Sequence, residues 1–171
     1  MGQRTVDLDA LARDTTSGYG LTAQRLELNT TGPCRVRGDR SQLATLLTNL
    51  IDNALKFTPA NKPVRVTIRR EAAEAVLEVL DQGPGIAPAD RDAIFKRYRR
   101  GSDAGDIPGA GLGLYLVREI VARHGGEVVL FSPPAGGAIF RVTLPLAPES
   151  IIAAQCEQRQ NASGANKFPP A

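Results

Sequence analysis

Apolar residues recur at helical spacing in the middle of the chain, and polar residues form a separate stripe in the same stretch. Over residues 42–58 the apolar positions are three and four apart, which predicts an amphipathic helix; they are Leu43, Leu47, Leu50, Ile51 and Ala54. Asn49, Asn53 and Lys56 share another face. Asparagine is unfavourable within helices because its amide competes for backbone hydrogen bonds. This polar face is therefore either solvated surface or a ligand surface, where amide oxygens meet a hard cation and the ammonium meets phosphate.

The ends of the predicted helices carry recognisable signals. Asp39 is a favoured N-cap residue, and Gln42 is the reciprocal partner expected in a capping box. Thr58 precedes Pro59, and a residue before proline is pushed out of the α region, so the helix should end there. His124, the single histidine, ends a later helix, where a cation complements the helix dipole. We expect a structural role for it.

Alternating and periodic segments flank the central helix. Upstream, residues 6–21 predict a short extended entry and a helix, and residues 25–29 and 34–37 predict the two strands of a small hairpin. Downstream the predicted elements are a hairpin of strands 64–70 and 75–81, a short helix at 88–95, a helix that residues 109–114 lead into and that ends at about residue 124, and strands 127–132 and 138–146. Three long helices and five or six strands fit an α+β fold of two packed layers. We expect the domain to span residues 5–147, with residues 148–171 a disordered or linker tail.

Composition disfavours several classes of protein. The 171 residues are 42% hydrophobic, enough for a core, and the net charge of +3 does not indicate nucleic-acid binding. Aromatic residues are few and tryptophan is absent, which disfavours a base-stacking platform. Cys34 and Cys156 are isolated in sequence and fit reduced thiols of a cytoplasmic protein. No apolar run approaches the ~18 residues of a membrane span, and no long heptad occurs, so we expect a monomer that does not enter a membrane.

An aspartate ends the apolar row of the second strand in the 64–81 hairpin. The residues that follow are Asp81-Gln-Gly83-Pro-Gly85-Ile86. For an isolated Asp-x-Gly, a turn or capping role is the commoner one. Alternatively, Asp81 accepts a hydrogen bond from an exocyclic amine and so selects adenine over guanine. Gly83 and Gly85 would then let the backbone approach a flat ring.

A glycine-rich stretch and several cations follow. Glycines at 109, 111 and 113 precede a predicted helix, whose first N–H groups can bind an anion. The spacing is not that of a P-loop, and the preceding strand of a dinucleotide-binding fingerprint is missing. The cations are either a solvated basic surface or, beside a glycine loop, partners of triphosphate oxygens; they are Lys56, Arg97, Arg99 and Arg100.

Taken in order, four short motifs resemble the catalytic ATP-binding domain of two-component sensor histidine kinases, part of the Bergerat-fold ATPase superfamily. Residues 49–58 look like its N box and residues 81–86 like its G1 box. Residues 94–98, Ile-Phe-Lys-Arg-Tyr, resemble its F box, and residues 109–114 look like its G2 box. The resemblance implies a two-layer α/β sandwich. In it a mixed, mostly antiparallel sheet of about five strands is covered on one face by three helices, with ATP in the helical layer.

The resemblance also implies a role for each motif residue. Asn53, with Asn49, is expected to hold the Mg²⁺ that bridges the phosphates of ATP. Asp81 is expected to bind the adenine amino group, in a base pocket lined by Phe57, Gly83, Gly85 and Ile86. Residues 99–110 match the ATP lid. The other expected nucleotide contacts are Lys56, Arg97, Arg99, Gly109, Gly111, Leu112, Gly113 and Leu114, and the expected catalytic residues are Asn49, Lys56 and Arg97.

Two departures from the superfamily pattern bear on activity. Its ATP hydrolases carry a glutamate one turn before the second asparagine, and here that position is Asn49, which cannot take a proton. This suits a kinase that hands the γ-phosphoryl to another group. No His-Glu or His-Asp pair marks a phosphoacceptor helix. We therefore expect transfer to a histidine on a dimerisation domain outside this sequence, with a response regulator receiver domain as the next partner.

Alternatives on the same fold stay open at this point. One is a free-standing serine kinase of the anti-sigma type, and another is an ATP-sensing module without transfer activity. A DNA-linked ATPase is disfavoured by the missing glutamate and by the lack of a transducer-like domain. The segment is expected to be cytoplasmic, and a membrane anchor in a larger protein stays open.

Overall fold

Five of the strands join into one mixed sheet in the computed structural model, which describes residues 4–96 and 111–148. Along the chain the strands are β1 (Arg4–Asp7), β2 (Leu26–Thr30), β3 (Arg35–Gly38), β4 (Val64–Glu71), β5 (Glu74–Asp81), β6 (Glu127–Phe131) and β7 (Ala138–Pro145). The helices are α1 (Leu8–Ser17), α2 (Arg40–Phe57) and α3 (Gly113–Arg123), with 3₁₀ turns at Gly20–Arg25 and Ala93–Phe95. The five-stranded sheet has the order β2-β4-β5-β7-β6, and β1 pairs with β3 separately.

One face of this sheet is apolar and carries the helices, and the other carries charged side chains together with a few apolar ones. Strands β4, β5 and β7 alternate, so that Val66, Val79 and Phe140 are fully buried in the core beneath the helices. The opposite face carries an ion network, in which Arg69 pairs with Glu78 at 2.7 Å and with Glu71 at 2.7 Å, and Arg141 also pairs with Glu71. The predicted α+β sandwich, covered on one face, is confirmed.

The predicted hairpin of residues 25–29 and 34–37 is wrong. Strand β2 instead runs parallel to β4, with Leu26 opposite Val64, and β3 runs antiparallel to β1. The N–H of Thr31 continues the first ladder by donating to the carbonyl of Ile68. Parallel strands need a long crossover, and α2 provides it between β2 and β4. Alternation of apolar and polar residues indicates a strand but does not specify which strand it pairs with. The hairpin was predicted from neighbouring residues alone, and for that reason the prediction was wrong.

A hydrogen bond connects the start of helix α2 to the end of helix α3. The Asp39 carboxylate caps α2 through the N–H groups of Ser41 and Gln42, as predicted. The reciprocal bond from Gln42 is not formed, because the Asp39 N–H donates to Nε2 of His124, 3.2 Å away. The Nδ1 of His124 donates to the carbonyl of Ile120 at 2.7 Å. His124 is therefore structural, because its ring connects the end of α3 to the N-cap residue of α2. A Cβ on Gly38 would lie 2.4 Å from its ring.

One carboxyl is buried at the start of α1. Asp9 is 9% exposed, and its Oδ1 is the one buried side-chain oxygen or nitrogen without a hydrogen-bond partner among the described residues. Burial, helped by the charge of Asp7, raises the pKa of Asp9 to about 6, against the opposing effect of Arg13. The thiol of Cys34 is also buried and unbridged, and burial raises its pKa to about 11.

Part of the predicted site lies outside the described residues. This applies to Arg97, Tyr98, Arg99, Arg100 and Gly109, to the predicted lid, and to residues 149–171 of the predicted tail. Among the residues that are described, no helix combines the length and the apolar character needed to cross a membrane.

Candidate nucleotide-binding site

Helix α2 presents its polar stripe beside the start of α3. Asn49 is half-buried, and its Nδ2 donates to the carbonyl of Thr45 at 2.9 Å, which leaves Oδ1 as an acceptor. A Cβ on Gly113 would lie 3.0 Å from that Oδ1, so the amide oxygen faces the first residue of α3. Asn53 follows one turn later, and its side chain has no hydrogen bond in the described part of the chain. The amide oxygen of Asn49 thus borders the start of α3, and Asn53 lies on the same face of α2.

The last turn of α2 ends in a cation above an aromatic ring. The Nζ of Lys56 lies 5.7 Å from the ring centroid of Phe57, within the range of a cation–π contact. Lys56 is exposed, and Phe57 is half-buried.

Asp81 is the buried carboxylate of the site, with 3% exposure. Its Oδ1 accepts hydrogen bonds from the N–H groups of Gly83 and Ala138, each at 3.0 Å. Its Oδ2 has no hydrogen-bond partner among the residues described. Burial raises the pKa of Asp81, and the two N–H donors act in the opposite direction. One oxygen is therefore fixed by the backbone, while the other is available to a donor from a ligand.

The turn after Asp81 is packed too tightly for side chains at its two glycines. A Cβ on Gly83 would lie 2.8 Å from the carbonyl oxygen of Phe57, and one on Gly85 would lie 2.6 Å from Oγ of Ser132. Gly85 also has a φ of +85°, in the left-handed region. Ile86 follows, half-buried against the core. The glycines thus bring the turn against α2 on one side and the β6–β7 loop on the other.

The N-terminus of α3 has no side-chain cap among the described residues. Gly111 has a φ of +68° and turns the chain into the helix, and Leu112 occupies the N-cap position without a side-chain cap. The first intrahelical bond runs from the N–H of Leu116 to the carbonyl of Leu112. Leu114 turns toward the core, which anchors this terminus. The N–H groups in the first turn of a helix have no acceptor within the helix, so those of α3 are suited to bind an anion.

Several positioning residues were missed by sequence reasoning. The guanidinium of Arg25 donates to the carbonyls of Thr58, Pro59 and Lys62 at 3.1, 2.9 and 3.3 Å, and so holds the loop after α2. The buried Oγ1 of Thr58 accepts from the N–H of Gln82 at 3.0 Å, which ties the end of α2 to the residue after Asp81. Neither contact has a local sequence signal, because each joins residues more than twenty positions apart.

From the sequence, the β6–β7 loop is predicted only to connect two strands. In the structure it forms one wall of the candidate site. The N–H of Gly137 donates to the carbonyl of Gly83 at 2.8 Å, and Ser132 contacts both Ile86 and Gly137. The register that places Ala138 opposite Asp81 brings the loop there. The cluster of proline and glycine in the loop marked a turn, but nothing local indicated which turn it would meet.

The donor set fits a magnesium ion carried by phosphates. In residues 4–96 and 111–148, no group of three or more His, Cys, Asp or Glu side chains is placed to hold a metal. The oxygens of Asn49 and Asn53 are hard ligands, and Mg²⁺ is commonly bound by one or two protein oxygens together with substrate phosphates and water.

A groove of about 590 Å³ lies elsewhere, between residues 91–96, α3 and β6. None of the predicted nucleotide residues lines it. The candidate nucleotide site is instead the junction of α2, the turn after β5 and the start of α3.

Comparison with known proteins places this arrangement in a family. Residues 38–148 match the family described as histidine kinase-, DNA gyrase B- and HSP90-like ATPase. The chain belongs to this ATPase family. The matched range includes α2, Asp81, the start of α3 and the β6–β7 loop, and so every described residue of the predicted site.

Relatives within the ATPase family are sensor kinases. The chain is 36% identical over 146 residues to the sensor-like histidine kinase SenX3 of Mycobacterium tuberculosis, which covers 82% of this chain and 36% of that protein. The mycobacterial sensor histidine kinase MprB has a solved structure that matches with a TM-score of 0.71 and 31% identity, over 85% of this chain and 99% of that one. Full-length ShkA in complex with AMPPNP matches with a TM-score of 0.71 and 29% identity, over 85% of this chain and 31% of that one. The chain thus spans about a third of the length of SenX3.

Proposed function

We propose that this chain is the ATP-binding catalytic domain of a sensor histidine kinase. It binds MgATP and donates the γ-phosphoryl to a histidine on a dimerisation domain of the larger protein, from which a response regulator receiver domain takes it. The names of these relatives support this proposal and do not favour the anti-sigma, sensing and DNA-linked alternatives. The proposal also places the segment in the cytoplasm.

The proposed recognition of ATP rests on the carboxylate of Asp81, because its Oδ1 is bound by two backbone N–H groups and its Oδ2 has no partner among the described residues. With Oδ1 occupied by two N–H groups, Oδ2 can accept from the 6-amino group of adenine. A keto purine presents an acceptor at that position and leaves the carboxylate unpaired, which is costly at a site that is 3% exposed. Phe57 and Ile86 border the same turn and would contact the faces of the base.

The triphosphate would lie between the polar stripe of α2 and the start of α3. The N–H groups at the start of α3 would bind phosphate oxygens, and Asn49 and Asn53 would supply two oxygens for Mg²⁺. When bound, Mg²⁺ would neutralise phosphate charge. We propose that Lys56, Arg97 and Arg99 neutralise the phosphate charge that remains. The complex of ShkA with AMPPNP supports a nucleotide in a domain of this fold.

Catalysis in this proposal is positioning and charge neutralisation. The amide of Asn49 faces the phosphate region, and an amide cannot take a proton from water. Attack by water is therefore not assisted at this position, and the γ-phosphoryl is preserved for a histidine brought in by the partner domain.

Transfer of labelled phosphate tests the proposal. The chain is incubated with γ-labelled MgATP and the dimerisation fragment from the same full-length protein. Label on that fragment that is lost in acid and kept in alkali is the expected result, because phosphohistidine has that stability. The matched control replaces the acceptor histidine of the fragment by glutamine and should carry no label. Acid-stable label, or no label under conditions where ATP binds, would overturn the proposal.

A further inference from the structure

Ser132, the residue after β6, makes two hydrogen bonds to the walls of the base site. Its Oγ accepts from the N–H of Ile86 at 3.1 Å and donates to the carbonyl of Gly137 at 2.9 Å. The side chain is half-buried, and the missing Cβ of Gly85 leaves the space that the hydroxyl occupies. One hydroxyl therefore connects the turn after Asp81 to the loop that faces it.

The second of these bonds leads directly to Asp81. The carbonyl of Gly137 and the N–H of Ala138 belong to one planar peptide group. Ser132 holds the oxygen end of that plane, and the N–H end donates to Oδ1 of Asp81 at 3.0 Å. Because the plane turns as a unit, the hydroxyl fixes the direction of the N–H that holds the carboxylate. Hydrogen bonds in such a series also polarise and strengthen one another.

The first bond fixes the neighbouring turn. The N–H of Ile86 has Ser132 as its partner, and the carbonyl of Gly83 accepts from the N–H of Gly137. The turn that carries Ile86 is therefore held from the same loop that orients Asp81. Loss of the hydroxyl would release both at once, while α2 and the start of α3 keep their own contacts.

We propose that Ser132 is a positioning residue for base recognition, acting through the Gly137–Ala138 peptide on Asp81 and through Ile86 on the adenine pocket. This inference rests on the proposed function, because it assumes that Asp81 receives adenine. It assigns to the β6–β7 loop a part in choosing the base, separate from the groups that bind phosphate.

Nucleotide titration of the folded chain tests the assignment. Affinities for MgATP, MgITP and magnesium tripolyphosphate are measured for the wild type, Ser132→Ala and Ser132→Thr. In Ser132→Ala we expect ATP to bind about three- to tenfold more weakly, with a smaller preference for ATP over ITP. Tripolyphosphate, which has no base, should bind as before. Ser132→Thr keeps the hydroxyl and should keep the preference.

Thr143→Val is the matched control, because Thr143 also joins β7 to β6, through the carbonyl of Glu127 at 3.5 Å, far from Asp81. It should leave all three affinities unchanged. An unchanged ATP to ITP ratio in folded Ser132→Ala overturns the inference, as does an equal loss of ATP and tripolyphosphate. If Ser132→Ala does not fold, loss of the preference in folded Ser132→Thr decides against it. A wild type without any preference for ATP would instead count against the proposed function.

Discussion

Replacing Asp81 by asparagine should change which purine the site accepts while leaving the fold intact. The amide oxygen of asparagine can take the two N–H bonds that Oδ1 now accepts from Gly83 and Ala138. That orientation is imposed, because Nδ2 in the same place would face two donors. The NH₂ group therefore points to where Oδ2 meets the ligand, and a donor replaces the acceptor.

The magnitude follows from the bond that is lost. A hydrogen bond to a charged acceptor contributes about 1.5–3 kcal/mol. At about 1.4 kcal/mol per tenfold change, ATP should bind about 10- to 150-fold more weakly to Asp81→Asn. ITP carries a keto oxygen in place of the amine and can accept from the new NH₂ group. Its affinity should hold or rise, so the preference for ATP over ITP should fall by at least the factor by which ATP affinity falls.

Calorimetric titration with MgATP and MgITP measures both affinities. Asp92→Asn is the control for a change of charge, because Asp92 is exposed. Since burial raises the pKa of Asp81, acidification should protonate this carboxyl and weaken ATP binding to the wild type, whereas Asp81→Asn should lack that component. Equal loss of ATP and ITP in a folded Asp81→Asn protein, or no loss of either, would refute this account of base selection.

Three further changes test other parts of the molecule. Asn53→Ala should remove the gain in nucleotide affinity that Mg²⁺ gives the wild type, measured as the ratio of affinities with magnesium and with EDTA; an unchanged ratio would contradict the proposed ligand. Asp9 has a folded-state pKa raised to about 6, so its favourable contribution is complete below the unfolded value of about 4 and is lost as pH rises through 6. Relative to Asp9→Asn, the wild type should therefore lose on the order of 2 kcal/mol of unfolding free energy between pH 4 and pH 7. Urea titrations at each pH measure this free energy, and the same pH dependence in both proteins would contradict the prediction. Arg25→Met should lower the unfolding free energy by about 1–3 kcal/mol, and Arg25→Lys should not restore it, because an ammonium lacks the planar fork that spans three carbonyls. An unfolding free energy equal to that of the wild type in either Arg25 variant would contradict this role of the guanidinium.

The sequence was sufficient for the elements whose signals are local. Periodicity located α2 and the β4–β5 hairpin, and the row that ends in Asp81 was correctly placed at the end of a strand. The prediction that Asn49 and Asn53 share a face of one helix is also confirmed, because helical spacing alone decides which residues share a face.

The remainder depends on contacts between distant residues. Strand β2 pairs with β4 across the whole of α2, and nothing in its alternation distinguishes that partner from the nearby β3. The same reason hid Arg25, whose partners lie 33 or more positions away, and the bond between Ser132 and Ile86, which are 46 positions apart. Polar residues in loops carry no sign of what they will meet, so the residues that orient a site are harder to find than those that touch its ligand.

The contact between Gly38 and His124 restricts which pairs of residues these two positions can hold. With no more than 2.4 Å between a Cβ at position 38 and the imidazole ring, a methyl group and the ring exclude each other. Gly38→Ala alone should therefore expel the imidazole and leave the Asp39 N–H without its acceptor, whereas a short side chain at position 124 should make room for alanine. Among descendants of this sequence, the two positions are expected to change together, with glycine kept wherever the imidazole is kept.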